Sequence, residues 1–226
     1  PDETKVFAWP DVLEDELHFF TDGSCLDPTS QLSKLASWGV VLGSTTSDAF
    51  VPISNGLLRG WTQTAARAEI VAATSACECA IILKRPCFLW VDNDRVYKKL
   101  RNFKHGKCQI GLNQKDADLW GKLADAVARL GSLLVAVTKV VSHQNPLGAQ
   151  DEAESWIFRG NAAADALAAS AYSRFPMVTR KWSQLRTDVA AVCLFRESVY
   201  KVIITVAQRS FTQPKEPEVA EHADRP

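Results

Sequence analysis

The chain is poor in several things at once. In 226 residues it has one methionine, Met177, three tyrosines and four histidines, and no net charge, because 26 lysines and arginines balance 26 aspartates and glutamates. A nucleic-acid partner is therefore not signalled by overall charge and needs a local basic patch. No apolar run approaches the roughly 20 residues that cross a bilayer, so no membrane partner is expected. The acidic start, Pro1-Asp2-Glu3, lacks the basic stretch of a signal peptide. Six cysteines occur without a C-x-x-C pair, and no cluster of histidines completes a zinc site. With no N-x-S/T sequon either, they read as reduced, mostly buried thiols of an intracellular protein, nuclear or cytoplasmic. What remains is ordinary globular material, 46% hydrophobic and 23% charged, enough for one ample domain and an appendage.

The pattern along the chain predicts an α/β protein. Residues 1–15 are polar around an isolated Phe7-Ala8-Trp9 and read as an arm or linker. Leu17 to Ser24, Ser37 to Gly43 and Ala49 to Ser54 are strand candidates, the last ended by the turn signal Asn55-Gly56. Thr64 to Lys84 switches to helical spacing, with Thr62 or Thr64 as cap, and Pro86 stops it. Cys87 to Val91 is continuously apolar, as a strand buried on both faces is. Helices are expected over Arg95–Phe103 and Asp116–Leu130, a strand over Leu133–Val141, and an Ala-rich helix from about Asn161 to Arg174, after a polar segment with Asp151, Glu152 and Glu154. The order β-β-β-α-β-α-α-β-α implies a five-stranded mixed sheet, three strands antiparallel and then two parallel, flanked by helices. The domain is placed at 16–175, followed by a helical extension at 176–210 and a disordered tail at 211–226.

Four acids stand in settings where a carboxylate is costly unless something neutralises it. Asp22 ends an apolar strand and precedes Gly23-Ser24, where a glycine allows close approach. Glu69 sits among alanines on the first long helix. Asp92 follows the buried strand, at the carboxyl end where α/β sheets build their sites. Asp94 competes with it but is better placed to cap the next helix. Asn161 and Asp165 are four apart and share a helix face. His143 opens the polar loop after the last strand. Four converging carboxylates would hold divalent cations and point to phosphodiester chemistry.

In order and in element type, these pieces resemble the type 1 ribonuclease H family. They are Thr21-Asp22-Gly23-Ser24, Arg67-x-Glu69, Val91-Asp92-Asn93-x-x-Val96, Val141-x-His143, Gly160-Asn161-x-x-x-Asp165-x-Leu167-Ala168, and Asp118-Leu119-Trp120-x-x-Leu123. The resemblance covers about Leu17 to Arg174 and implies a ribonuclease H-like fold. The implied activity is cutting of the RNA strand of an RNA–DNA hybrid, leaving 3′-hydroxyl and 5′-phosphate ends. Asp22, Glu69, Asp92 and Asp165 would hold two Mg²⁺ ions, with Mn²⁺ as a substitute, and His143 would assist turnover. Thr64, Arg67 and Asn161 would meet the nucleic acid. Ala65 and Ala66 stand where cellular members often place asparagines that read 2′-hydroxyls.

The run Lys98, Lys99, Arg101, Lys104 and Lys107, with Arg95 and Lys115, supplies the local basic patch. In the family this region grips the DNA strand, and such contacts make binding salt-dependent. Proofreading exonucleases of this fold carry Asp-x-Glu on the first strand, which Asp22-Gly23-Ser24 does not match. The rival from another class is a catalytically inactive, ribonuclease H-like binding or scaffold domain of a retroelement polyprotein. The start at Pro1 and the helical extension suggest a piece of such a polyprotein, with a reverse transcriptase domain as partner.

Overall fold

The computed structural model describes residues 4–10, 14–29, 34–107, 109–111, 113–142, 144, 148–174 and 176–212. Its strands are β1 (Thr4–Val6), β2 (Leu17–Leu26), β3 (Leu35–Gly43), β4 (Phe50–Leu57), β5 (Cys87–Val91) and β6 (Leu134–Lys139). Its helices are α1 (Ala65–Leu83), α2 (Asp94–Lys104), α3 (Ala117–Leu130), α4 (Glu152–Arg174) and α5 (Pro176–Thr212). They form two compact units, Pro1–Trp182 and Ser183–Pro226.

The first unit is built on one sheet of order β1-β4-β3-β2-β5-β6. The five expected strands are β2 to β6: β2, β3 and β4 are mutually antiparallel, and β5 and β6 join β2 in parallel. The sixth comes from the arm, where Thr4, Lys5 and Val6 pair antiparallel with Gly56, Asn55 and Ser54. Phe7 and Trp9 are not isolated either, since each packs against one of the hydrophobic cores.

The two cores that β2 feeds follow from strand alternation, which sends its successive residues to opposite faces. Phe19 packs with Ile70, Leu89, Trp120 and Leu123 beneath α1 and α3. Phe20 packs with Val41, Ala164 and Leu167 beneath α4, edged by Trp90 and Trp156. Glycine lets the helices come close. A Cβ on Gly39 would stand 2.7 Å from the Ala168 nitrogen, and one on Gly23 would stand 2.7 Å from the Ala65 carbonyl oxygen and collide with the Glu69 nitrogen.

Three local expectations are corrected. Asn55-Gly56 is no turn: both residues lie inside β4, and the buried Asn55 amide donates to the Leu167 carbonyl at 2.9 Å, tying the strand to α4. The Ala-rich helix starts well before Asn161: α4 begins at Glu152, inside the polar segment. Its first turn is capped by Asp151, whose Oδ1 receives the Glu154 N–H at 2.7 Å, while Glu154 accepts the Gln150 N–H at 2.6 Å. The cap of α2 is Asn93, which accepts the N–H groups of Arg95 and Val96, whereas Asp94 pairs with Lys98 at 2.6 Å.

The described part of the second unit is α5 from Ser183 onward. Its apolar residues Val192, Leu194, Phe195, Val202, Ile203 and Val206 are exposed. The tail from residue 213 lies outside the described residues. No described helix is long and apolar enough to cross a membrane.

Candidate active site

Each acid is held by a different element. Asp22 sits in the middle of β2, opposite Gly39 on β3, and its Oδ1 accepts the N–H of Gly23 at 2.6 Å. Glu69 is in the second turn of α1, whose start is fixed by Thr64: the hydroxyl oxygen of that cap accepts the Arg67 N–H at 3.2 Å. Because Gly23 has no side chain, α1 lies against β2 and brings Glu69 to Asp22. Asp92 follows the last residue of β5, and its position is fixed by Lys139, whose ammonium donates to the carbonyl oxygens of Asp92 (2.5 Å) and Val140 (2.9 Å).

The result is a group of three carboxylates, Asp22, Glu69 and Asp92, each offering an oxygen within 4.8 Å of the others. They line a cleft of about 350 Å³, together with Gly23, Ser24, Cys25, Ala65, Asn93, Ser142 and Asp165. Asp165 faces the same cleft from α4 but stands outside the tight group of three. Asp22 and Glu69 are almost wholly buried. Burial first, and then the charges of Asp92 and Asp165, push the Asp22 carboxyl up to about 7. Burial and the charges of Asp22 and Asp92 hold Glu69 well above the usual carboxylate range. Buried oxygens of Glu69 (Oε2) and Asp92 (Oδ1) lack a hydrogen-bond partner. A buried acceptor without a donor is costly, and all-oxygen, multiply anionic sets are the ligands of hard divalent cations. The residues present therefore fit a hard divalent cation.

The 160-residue span 14–173 matches the RNase H family model. The chain belongs to the RNase H family. Among solved structures, its fold is similar to a prototype foamy virus protease–reverse transcriptase mutant, at 22% identity and TM-score 0.52, covering 69% of this chain and 20% of that one. The solution structure of the PFV RNase H domain is similar at 21% identity and TM-score 0.51, covering 69% of this chain and 93% of that one. This chain thus spans a fifth of the length of the viral protease–reverse transcriptase. No curated protein is a significant match.

The other expected RNase H site residues are scattered more widely. Asn161 is buried one turn before Asp165, and its Oδ1 has no partner. Arg67 reaches across to the start of α3, where its two terminal nitrogens meet Asp116 (3.0 Å) and Asp118 (2.7 Å), so it braces α1 against α3. Lys99 bonds the carbonyl of Gln109 at 3.1 Å, Arg101 lies over the Tyr97 ring, and Lys104 bonds the carbonyl of Val135. Lys107 is exposed, and with Lys99 it borders a recess of about 480 Å³. His143 lies outside the described residues. The role of Lys139 is not legible in the sequence: a lysine ending an apolar strand carries no signal that it will grip the backbone of the neighbouring strand. Five cysteines, Cys25, Cys77, Cys79, Cys87 and Cys193, are free thiols, and Cys108 is outside the described residues.

Proposed function

We propose that this chain is a divalent-metal-dependent endonuclease that cuts the RNA strand of an RNA–DNA hybrid, leaving 3′-hydroxyl and 5′-phosphate ends. The observation that carries this is the convergence of Asp22, Glu69 and Asp92 within 4.8 Å, with unpartnered buried oxygens, in a member of the RNase H family. Asp22, Glu69, Asp92 and Asp165 would hold two Mg²⁺ ions, or Mn²⁺ in their place. Bound there, the metal supplies an activated water and stabilises charge on the phosphate. The chain's own groups do the rest. The three strand and helix acids fix the anionic ligand set, Asp165 closes the cleft from α4, and the cap of α1 at Thr64 offers a phosphate contact. Asn161 meets the nucleic acid beside Asp165, and His143 assists turnover by moving a proton or by helping product and metal leave.

The substrate is an RNA–DNA hybrid, and Lys98, Lys99, Arg101, Lys104 and Lys107 face the phosphates of its DNA strand. Arg67 acts through its brace to α3 as much as through direct contact. The foamy virus neighbour is a protease–reverse transcriptase, and by that likeness a reverse transcriptase domain of a retroelement polyprotein is the partner. Free cysteines suit an intracellular setting, nuclear or cytoplasmic.

The test is cleavage of a hybrid whose RNA strand is end-labelled, with Mg²⁺ and with a chelator. The parent cuts only with the metal. Asp92→Asn loses more than the roughly 100-fold that removing an outer-shell partner costs. Equal cutting by Asp92→Asn would remove Asp92 from the mechanism, and tight binding without cutting by the parent would favour an inactive binding domain.

A further inference from the structure

Between β4 and α1 the chain makes an excursion from Leu58 to Thr64 that is pinned at both ends. Leu58 is buried and donates its N–H to the Ala36 carbonyl at 2.7 Å. Gln63, only 6% exposed, spends its whole amide tying the loop to itself and to β3. Its Oε1 accepts the Ala36 N–H at 2.9 Å, and its Nε2 donates to the carbonyls of Leu58 (3.0 Å) and Gly60 (2.6 Å). Gly60 turns the chain with a φ of +90°, in the region glycine favours.

At the apex stands Trp61, whose relative exposure is 103%. Burying a large apolar side chain is favourable, and this indole gains nothing from it. Single exposed apolar residues are common and need no purpose. Here, however, a buried and fully bonded glutamine builds the loop that holds the indole in water. The location is also specific. Trp61 is four residues from Ala65, which lines the acid cleft. At about 3.5 Å per residue that is at most about 14 Å, or about four nucleotides at about 3.4 Å each along one strand.

We propose that Trp61 is a base-stacking contact that selects hybrids with a single-stranded extension. It rests on the hybrid-cutting function proposed above and names the form of substrate that site takes. A paired base inside a duplex has both faces covered by its neighbours, and the last pair of a blunt end has one covered, so a free indole finds two open faces only on an unpaired base. Such stacking tolerates any sequence, because every base has a π-face. The preferred substrate is therefore a hybrid whose paired region ends within a few nucleotides of the cleft and continues as a single strand.

The experiment uses the full chain. In the Asp92→Asn background, binding is measured to a blunt hybrid and to one with an overhang carrying 2-aminopurine at the first unpaired position. In the otherwise unaltered chain, cutting of the same two hybrids is followed. The overhang hybrid binds about tenfold more tightly than the blunt one, and its 2-aminopurine is quenched. Trp61→Ala abolishes both the preference and the quenching while keeping kcat on the blunt hybrid, and Trp61→Phe restores part of each. Because the indole touches nothing, the substitution leaves folding intact, which the thermal midpoint verifies. Equal affinity for the two hybrids, or a preference that survives Trp61→Ala, overturns this proposal alone. A chain that neither binds nor cuts either hybrid overturns the hybrid-cutting function as well.

Discussion

At the scale of the residue, the acids of the cleft are held at odds with their surroundings, and this has a thermodynamic consequence. Folded Asp22 keeps its proton up to about pH 7, whereas the unfolded chain gives it up near the ordinary value of 3.8. Between those values the folded state binds more protons than the unfolded one, so the metal-free protein loses stability as pH rises through that window and levels off above it. Glu69, also displaced upward, acts in the same direction. Asp22→Asn removes the Asp22 share: in a chelator the variant melts several degrees above the parent at pH 7 and close to it at pH 4. Thermal unfolding followed by circular dichroism at the two pH values checks this, and a parent whose midpoint is flat from pH 4 to 7 would refute it. The roles of neighbouring polar residues were the least legible at this scale. Asn93 and Asp94 are both good helix caps. Which of them caps depends on whether the backbone leaves β5 one residue earlier or later, and here it leaves so that the Asn93 side chain receives the N–H groups of Arg95 and Val96.

At the scale of the element, the cleft depends on how closely α1 lies on β2. Gly23→Ala places a methyl group 2.7 Å from the Ala65 carbonyl oxygen and in collision with the backbone of Glu69. Backbone cannot step aside as a side chain can. The expected cost therefore reaches or exceeds the about 1–3 kcal/mol usual for overpacking, and the helix that carries Glu69 moves outward. Urea unfolding reads the stability, and hybrid cleavage reads the displacement; Gly23→Ala loses both, while Gly121→Ala, with nothing near its added methyl, loses neither. The long elements were legible because their periodicity is strong: α1, β5 and α3 lie within a residue or two of where the apolar spacing put them. Asn55-Gly56 was misleading because turn propensity is local, while the bond from Asn55 to α4 joins residues 112 apart. The start of α4 was hidden for a similar reason. Glu152 to Ser155 reads as a solvated acidic loop, and only Trp156, seated against Phe20 and Trp90, shows why those turns are helical.

At the scale of the whole molecule, the sheet topology was legible as five strands, because each carried its own run of apolar residues. The sixth was not, since three residues are too few to display an alternation. That strand has a practical meaning for anyone who handles the protein. With β1 in place, the outer rim of β4 has partners for Ser54, Asn55 and Gly56. Once the chain is shortened past Val6, those backbone groups become a template on which another molecule can lay a strand. Pro52 blunts only its own stretch of the rim, because proline has no N–H to offer. A shortened preparation is expected to leave the gel-filtration column as the parent does and then cloud over days of storage, which light scattering would record. The first strand of the chain sets the shelf life of a domain whose chemistry it never touches.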